Sequence, residues 1–239
     1  MRILGLDSSG MVASAAIVED ETLLCEFTVN YKKTHSQTLL PMLDEIVGMT
    51  EFSLETLDAV AVAAGPGSFT GLRIGSATAK GLGLALDIPL AAVPTLEALA
   101  FNLFDTEGLI CPIMDARRQQ VYTGIYRFCA HRLQVVEDQM AVSMEELLKK
   151  LSRYGERVTF LGDGVPVFRE EIARTSGLSY AFAPAHLSRQ RAGAVAVLGA
   201  QYYKEGKLQT AAEHSPCYLR VSQAERERKA REAAEGERE

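Results

Sequence analysis

The sequence predicts an α/β protein of two lobes, each a mixed sheet backed by helices, and three observations carry that prediction. Short apolar or alternating runs at 2–7, 12–18 and 23–29, separated by polar turns, have the period of strands. A buried-strand pattern at 58–64 delivers the chain to a glycine-rich loop and then to a helix-length segment. The alternation restarts at residue 109, and 239 residues suffice for two lobes of ordinary size.

The first strand runs into Asp7, Ser8, Ser9 and Gly10, a carboxylate, two hydroxyls and a glycine. That composition can hold a phosphate or its metal ion, or simply turn a hairpin. A helix at 36–49 follows from Leu39, Leu40, Leu43, Ile46 and Val47 at helical spacing, with Ser36 as its candidate cap. Pro41 lies inside this pattern and removes a backbone hydrogen bond, so the helix either kinks or starts later.

The stretch 65–87, GPGSFTGLRIGSATAKGLGLALD, reads as a tight loop opening a long helix whose N-terminus points backbone N–H groups outward. Gly71, Gly75, Ala79 and Gly83 recur every four residues and form one smooth stripe, flanked by Leu72, Leu82 and Leu86. Each glycine inside a helix costs roughly 1 kcal/mol against alanine. Close packing must therefore hold the helix, either within the chain or against a partner chain.

A strand at 90–93 and a helix at 95–104 close the first half. The second opens with a strand at 109–114, a polar turn at 115–120 and a returning strand at 121–128. Ser143-Met144-Glu145-Glu146 has the spacing of a capping box and opens a helix ending near Arg153. A strand at 157–161 runs into Gly162, Asp163 and Gly164, a second tight polar turn, and helices are expected at 167–176 and 189–204. The expected organisation is a first lobe at 1–105, a second at 106–221 and a charged flexible tail at 222–239. In the tail, six acids and five bases nearly cancel and large apolar residues are almost lacking.

Composition removes several classes of function. No run approaches the ~20 apolar residues of a membrane span, and MRILGLDSSG lacks a signal-peptide pattern, so a cytoplasmic protein is expected. A net charge of −6 argues against a chain that grips nucleic acid by itself. The four cysteines include no CxxC pair and the four histidines stand apart, so no metal site is expected. No Walker-type phosphate loop, H-E-x-x-H or G-x-S-x-G is present, and no catalytic residue is nominated. What remains is the pair of turns at 7–10 and 162–164, which facing one another across a cleft would form a site for ATP or ADP with magnesium. A duplicated β-rich unit with such a turn in each lobe describes the actin-like architecture of sugar kinases and chaperone ATPases.

Five segments carry a family resemblance: DSSG at 7–10, HSQTLLPML at 35–43, AGPGSFTGLRIGSATAKGLGLAL at 64–86, MDARRQQVY at 114–122 and PCYLR at 216–220. On these the chain resembles the bacterial TsaB family, also called YeaZ, subunits of the machinery that makes threonylcarbamoyladenosine in tRNA. The GPGSFTGLRIG segment is specific at the level of this family. The resemblance implies an actin-like two-lobe fold and a non-catalytic scaffold paired with the paralogous catalytic subunit TsaD, with the small ATPase TsaE joining them. TsaD would transfer the threonylcarbamoyl group from threonylcarbamoyl-AMP to N6 of adenosine 37, in tRNAs reading codons that begin with A. This chain would meet tRNA only through the complex. The family's catalytic subunit holds a metal through an H-x-x-x-H pair, whereas the corresponding PTLEALAFN stretch here has no histidine.

The resemblance also favours a partner-facing role, with TsaD or a second copy, for the helices carrying Leu39, Leu40, Leu43, Gly71, Leu72, Gly75, Ala79, Leu82, Gly83 and Leu86. Two other readings compete. One is an independent actin-like ATPase or kinase built on Asp7 and Asp163. The other is a peptidase, for which the sequence supplies no nucleophile and base together.

Overall fold

Two sheets built to one plan organise the computed structural model, which describes residues 1–31, 34–175 and 177–220. In the first, β1 (Arg2–Asp7), β2 (Ala13–Glu19) and β3 (Thr22–Val29) form an antiparallel meander. Then β4 (Ala59–Gly65) pairs parallel with β1, and β5 (Leu90–Pro94) parallel with β4. In the second, β6 (Leu109–Asp115), β7 (Gln120–Cys129) and β8 (Arg132–Ser143) repeat the meander. There β9 (Val158–Leu161) and β10 (Tyr180–Phe182) add in parallel. The orders β3-β2-β1-β4-β5 and β8-β7-β6-β9-β10 superimpose element on element. This duplication is the actin-like two-lobe fold that the sequence predicts.

The duplication corrects one expectation. It matches β1 with β6 and β4 with β9, so the counterpart of the turn at 7–10 is the β6–β7 turn at 115–120. The turn at 162–164 instead corresponds to the loop after β4. A hairpin turn and a strand-to-helix turn share the same small polar composition, which is why composition paired the wrong two.

Two helices, α1 (His35–Thr50) and α2 (Phe69–Leu86), cover one face of the first sheet. Leu39, Met42, Leu43, Ile46 and Ala79 pack there against Leu4, Leu6, Ile17, Val60 and Val62. α1 begins ahead of Ser36 with Thr34 at the cap position and carries Pro41 within it, so Ser36 is not the cap. The short α3 (Thr95–Phe101) joins the lobes, setting Leu96 and Leu99 against Ile110, Met114, Tyr126 and Leu161. In the second lobe α4 (Met144–Ser152) starts with the capping box that the sequence indicates, and α5 (Val165–Arg174) begins at the turn after β9.

α6 (Ala192–Lys204) crosses back to the first sheet, where Val195 and Ala196 meet Ile3, Ala59 and Ala61. By packing, this helix belongs with the first lobe and not with the second to which its position in the chain assigned it. The chain then runs along the first lobe, pairing Gln209 with Leu90 and donating Cys217 N to the Ala64 carbonyl at 2.7 Å. The tail expected at 222–239 lies outside the described residues. Among the described residues no helix is long and apolar enough to cross a membrane.

Candidate functional site in the inter-lobe cleft

The strand ends of both sheets open on one cleft of about 680 Å³. The first lobe supplies Ser9, Gly10 and Met11 from the β1–β2 turn, and Pro66, Gly67, Ser68 and Phe69 from the loop before α2. The second supplies Asp115, Ala116 and Arg117 from the β6–β7 turn, with Tyr122 and Asp163. Arg189 and the segment 218–220 complete the walls.

The β1–β2 turn uses its polar groups within the chain. Asp7 is buried, and its Oδ1 accepts from Ser9 N at 2.9 Å and from Ser9 Oγ at 2.7 Å. Its Oδ2 has no partner among the described residues. Burial pushes the Asp7 carboxyl up to about 6, against the opposing pull of the Ser9 hydrogen bonds and of His35. Ser8 Oγ donates to the Gly71 carbonyl at 2.8 Å, and Ser68 N donates to the Ser9 carbonyl at 2.6 Å. His35 Nε2 lies 2.8 Å from the Gly10 carbonyl.

Of the seven residues expected to hold a nucleotide, Ser9, Gly10 and Asp163 therefore reach the cleft, and Asp7, Ser8, Gly162 and Gly164 do not line it. Gly162 N donates to Ser188 O at 2.9 Å and Gly164 N to Ile113 O at 3.0 Å, so these glycines serve the strand-to-helix connection. Asp163 Oδ1 accepts from Asp115 N at 3.1 Å. Burial raises the Asp163 pKa, partly offset by that hydrogen bond and by Arg189.

Sequence reasoning passed over Asp115, Arg117, Arg189 and Arg220. Three of them lie in the MDARRQQVY and PCYLR segments that carry the family resemblance, and that was the available signal. In the β6–β7 turn Arg117, Arg118 and Gln119 all take left-handed conformations, with φ of 64°, 56° and 58°. Each such residue costs roughly 1–2 kcal/mol, and strain of this kind concentrates at sites where a side chain must be aimed. The turn is held by Arg117 N on Asp115 Oδ1 at 2.8 Å and Ala116 N on Gln120 O at 3.0 Å.

Arg189 is positioned through its backbone, whose carbonyl accepts from Asn102 Nδ2 at 2.7 Å. The end of the described chain straps the cleft. Tyr218 stacks at 4.9 Å on Phe69, whose ring also carries Arg73 at 4.0 Å, and Arg220 Nη1 donates across to the Ala116 carbonyl at 3.0 Å.

The structure also places the expected partner face. Gly71, Leu72, Gly75, Ala79 and Gly83 are buried within the chain, as are Leu39 and Leu43. A Cβ on Gly71 would meet the Ser8 carbonyl, one on Gly75 the Ser8 hydroxyl, and one on Gly83 the Leu90 side chain. Leu82 and Leu86 pack half-buried against the same core. The glycine stripe is thus an intramolecular seam, and of the ten residues only Leu40 is exposed. The outward sides of these helices present Leu40, Met49 and Leu84, the last 72% exposed, together with Ala77, Gly81 and Ala85.

Residues 22–228 match the family model described as TsaD: tRNA N6-adenosine threonylcarbamoyltransferase. The tRNA threonylcarbamoyladenosine biosynthesis protein TsaB of Bacillus subtilis is 35% identical over 94% of this chain and 96% of its own length. The Escherichia coli protein of the same name is 32% identical over 92% and 95%. YeaZ from Pseudomonas aeruginosa superimposes with a TM-score of 0.76 at 23% identity, covering 91% of this chain and 99% of that one, and agrees in fold. With two such relatives matched nearly end to end, the chain belongs to the TsaB family of tRNA threonylcarbamoyladenosine biosynthesis proteins.

Proposed function

We propose that this chain acts in tRNA threonylcarbamoyladenosine formation as a non-catalytic supporting subunit, pairing with a TsaD-like catalytic subunit and working with TsaE. The observation that carries the reading is the state of the β1–β2 turn: one oxygen of its carboxylate, its two hydroxyls and two of its carbonyls are already engaged within the chain. A turn so occupied suits a lobe that is a structural element and not a phosphate-handling one. Two further observations support it. Near end-to-end similarity to proteins named for this biosynthesis sets the pathway. The match to the TsaD family model gives the chain and the transferase a common architecture through which two lobes can pair.

The exposed apolar side chains of α1 and α2 are the surface assigned to that pairing. Leu40, Met49 and Leu84 are large, apolar and more than half exposed, a combination that a protein partner would cover.

The experiment is reconstitution of purified chain, TsaD, TsaE, threonylcarbamoyl-AMP, ATP and unmodified tRNA, scored for modified adenosine with and without the chain. The expected result is modification that requires the chain, with no modification and no ATP turnover by the chain alone. Equal modification in its absence overturns the supporting role. ATP turnover by the chain alone that is lost in Asp163→Asn replaces it with an independent actin-like ATPase using magnesium nucleotide.

A further inference from the structure

The strap that follows α6, residues 205–220, is tied first to one lobe and then to the other. On the first lobe the backbones of Leu90 and Gln209 exchange hydrogen bonds at 2.8 and 2.9 Å, and Cys217 N donates to Ala64 O. Lys80 Nζ of α2 donates to the His214 carbonyl at 3.1 Å. Arg220 then reaches Ala116 in the second lobe. Two side chains of the strap are buried, Ala211 and His214, the latter only 2% exposed.

The neighbour of that imidazole fixes where its proton sits. His214 Nδ1 lies 3.2 Å from Gln209 Oε1, an atom that only accepts, so Nδ1 carries the hydrogen and Nε2 is the basic nitrogen. Nε2 is buried and has no hydrogen-bond partner among the described residues. A proton arriving there would create a buried cation whose new N–H finds no acceptor. The charged group acting on the ring from α2 is Lys80, of the same sign. On the strap the adjacent charge is Glu213, whose carboxylate is occupied by Thr210 N and Oγ1, and β5 meets the strap through the backbone of Leu90.

We propose that the strap is a proton-operated clasp: protonation of His214 at Nε2 releases residues 209–217 from the first lobe, and with them the tie from Arg220 to Ala116. Burial, and then Lys80, hold the His214 pKa below its ordinary 6.5 while the strap is docked. The released strap therefore binds the proton more tightly than the docked one. Docking is at full strength above about pH 6.5 and weakens as the pH falls from there towards the docked pKa. Tyr218, Leu219 and Arg220 wall the inter-lobe cleft, so an open clasp widens its mouth and removes one of the contacts between the lobes.

The test is amide hydrogen exchange of the full chain between about pH 7.5 and pH 5, each rate divided by its intrinsic rate at that pH. Protection of the Gln209 and Cys217 amides is expected to fall at least about threefold more than that of the β4 amides. In His214→Asn, which keeps a donor for Gln209 Oε1 and takes up no proton, that fall should disappear, and thermal melting at neutral pH checks that the variant is folded. The wild-type ring supplies a second readout that needs no variant. Its proton shifts should titrate below 6.5, together with the loss of protection. The proposal is overturned by strap protection that holds across the range, by an equal fall in His214→Asn, by a fall shared equally with β4, or by a ring that titrates at 6.5 or above.

Discussion

Ser8 Oγ donates a 2.8 Å hydrogen bond to the carbonyl of Gly71, tying the β1–β2 turn to the first turn of α2. This contact explains the glycines of that helix. Gly71 and Gly75 face Ser8 so closely that a Cβ at either would overlap it, and the helix is held by the approach that its glycines permit. Gly75→Leu is therefore expected to destabilise the isolated chain by about 3 kcal/mol or more, at the upper end of the overpacking range. Urea unfolding of the variant alone measures it. Unchanged stability together with lost association would put the stripe back on the surface.

The opposite prediction holds on the outer side of the same helix. Leu84 is 72% exposed, and Leu84→Arg should leave unfolding free energy within about 0.5 kcal/mol of wild type. In the proposed complex the same substitution should weaken binding to a TsaD-like partner at least about tenfold, because it places a charge in a desolvated contact. Analytical sizing and titration against the partner separate the two effects. Undiminished binding would move the partner surface away from α2.

Much of the fold was legible in the sequence, for reasons particular to each element. The strand pattern of β1, the buried run of β4 and the capping box of α4 are local signals, and each element appears within a residue or two of its expected place. The sequence reading passed over β8 and β10. The β8 pairing with β7 shifts register between Thr123 and Tyr126, which breaks the alternation that marks a strand, and β10 has only 3 residues. The partner-facing reading of the glycine stripe, which the resemblance favoured, fails because periodicity shows that a face is smooth without showing what covers it. The covering group is Ser8, 63 residues away in sequence. The convergence of the cleft arginines was hidden for a similar reason, since Arg117, Arg189 and Arg220 come together only after the chain has closed both lobes, and the family segments marked Arg117 and Arg220 without showing where they meet.

The strap gives a third prediction. Tyr218 stacks on Phe69 and accepts from Arg73 Nε at 3.3 Å. An aromatic pair contributes about 0.5–1.5 kcal/mol beyond its buried area, and an exposed hydrogen bond adds less than the ~1 kcal/mol of a typical one. Tyr218→Ala should lower stability by about 1–2 kcal/mol, and Tyr218→Phe by under about 1 kcal/mol. Equal losses in the two variants would assign the contribution to the hydroxyl and remove the ring stack from the account.

Asp7 supplies the pH prediction. Its carboxyl titrates at about 6 in the folded chain against an ordinary 3.8, chiefly because burial disfavours the charged form. The folded state therefore binds the proton more tightly than the unfolded state. The stabilisation is fully present below about pH 4, is lost as the pH rises to about 6, and is absent at neutral pH. At 1.36 kcal/mol per unit the swing is about 3 kcal/mol. Asp7→Asn removes the titration while keeping an oxygen to accept from Ser9, at the cost of an unpartnered amide that is the same at every pH. The stability difference between variant and wild type should thus move in the variant's favour by about 2.4 kcal/mol between pH 4 and pH 7, most of the full swing. Urea unfolding of both chains at pH 4, 5, 6 and 7 measures it, with every other titrating group cancelling in the difference. A difference that stays constant across that range would mean that Asp7 is ionised with an ordinary pKa and that its Oδ2 has a partner in solution.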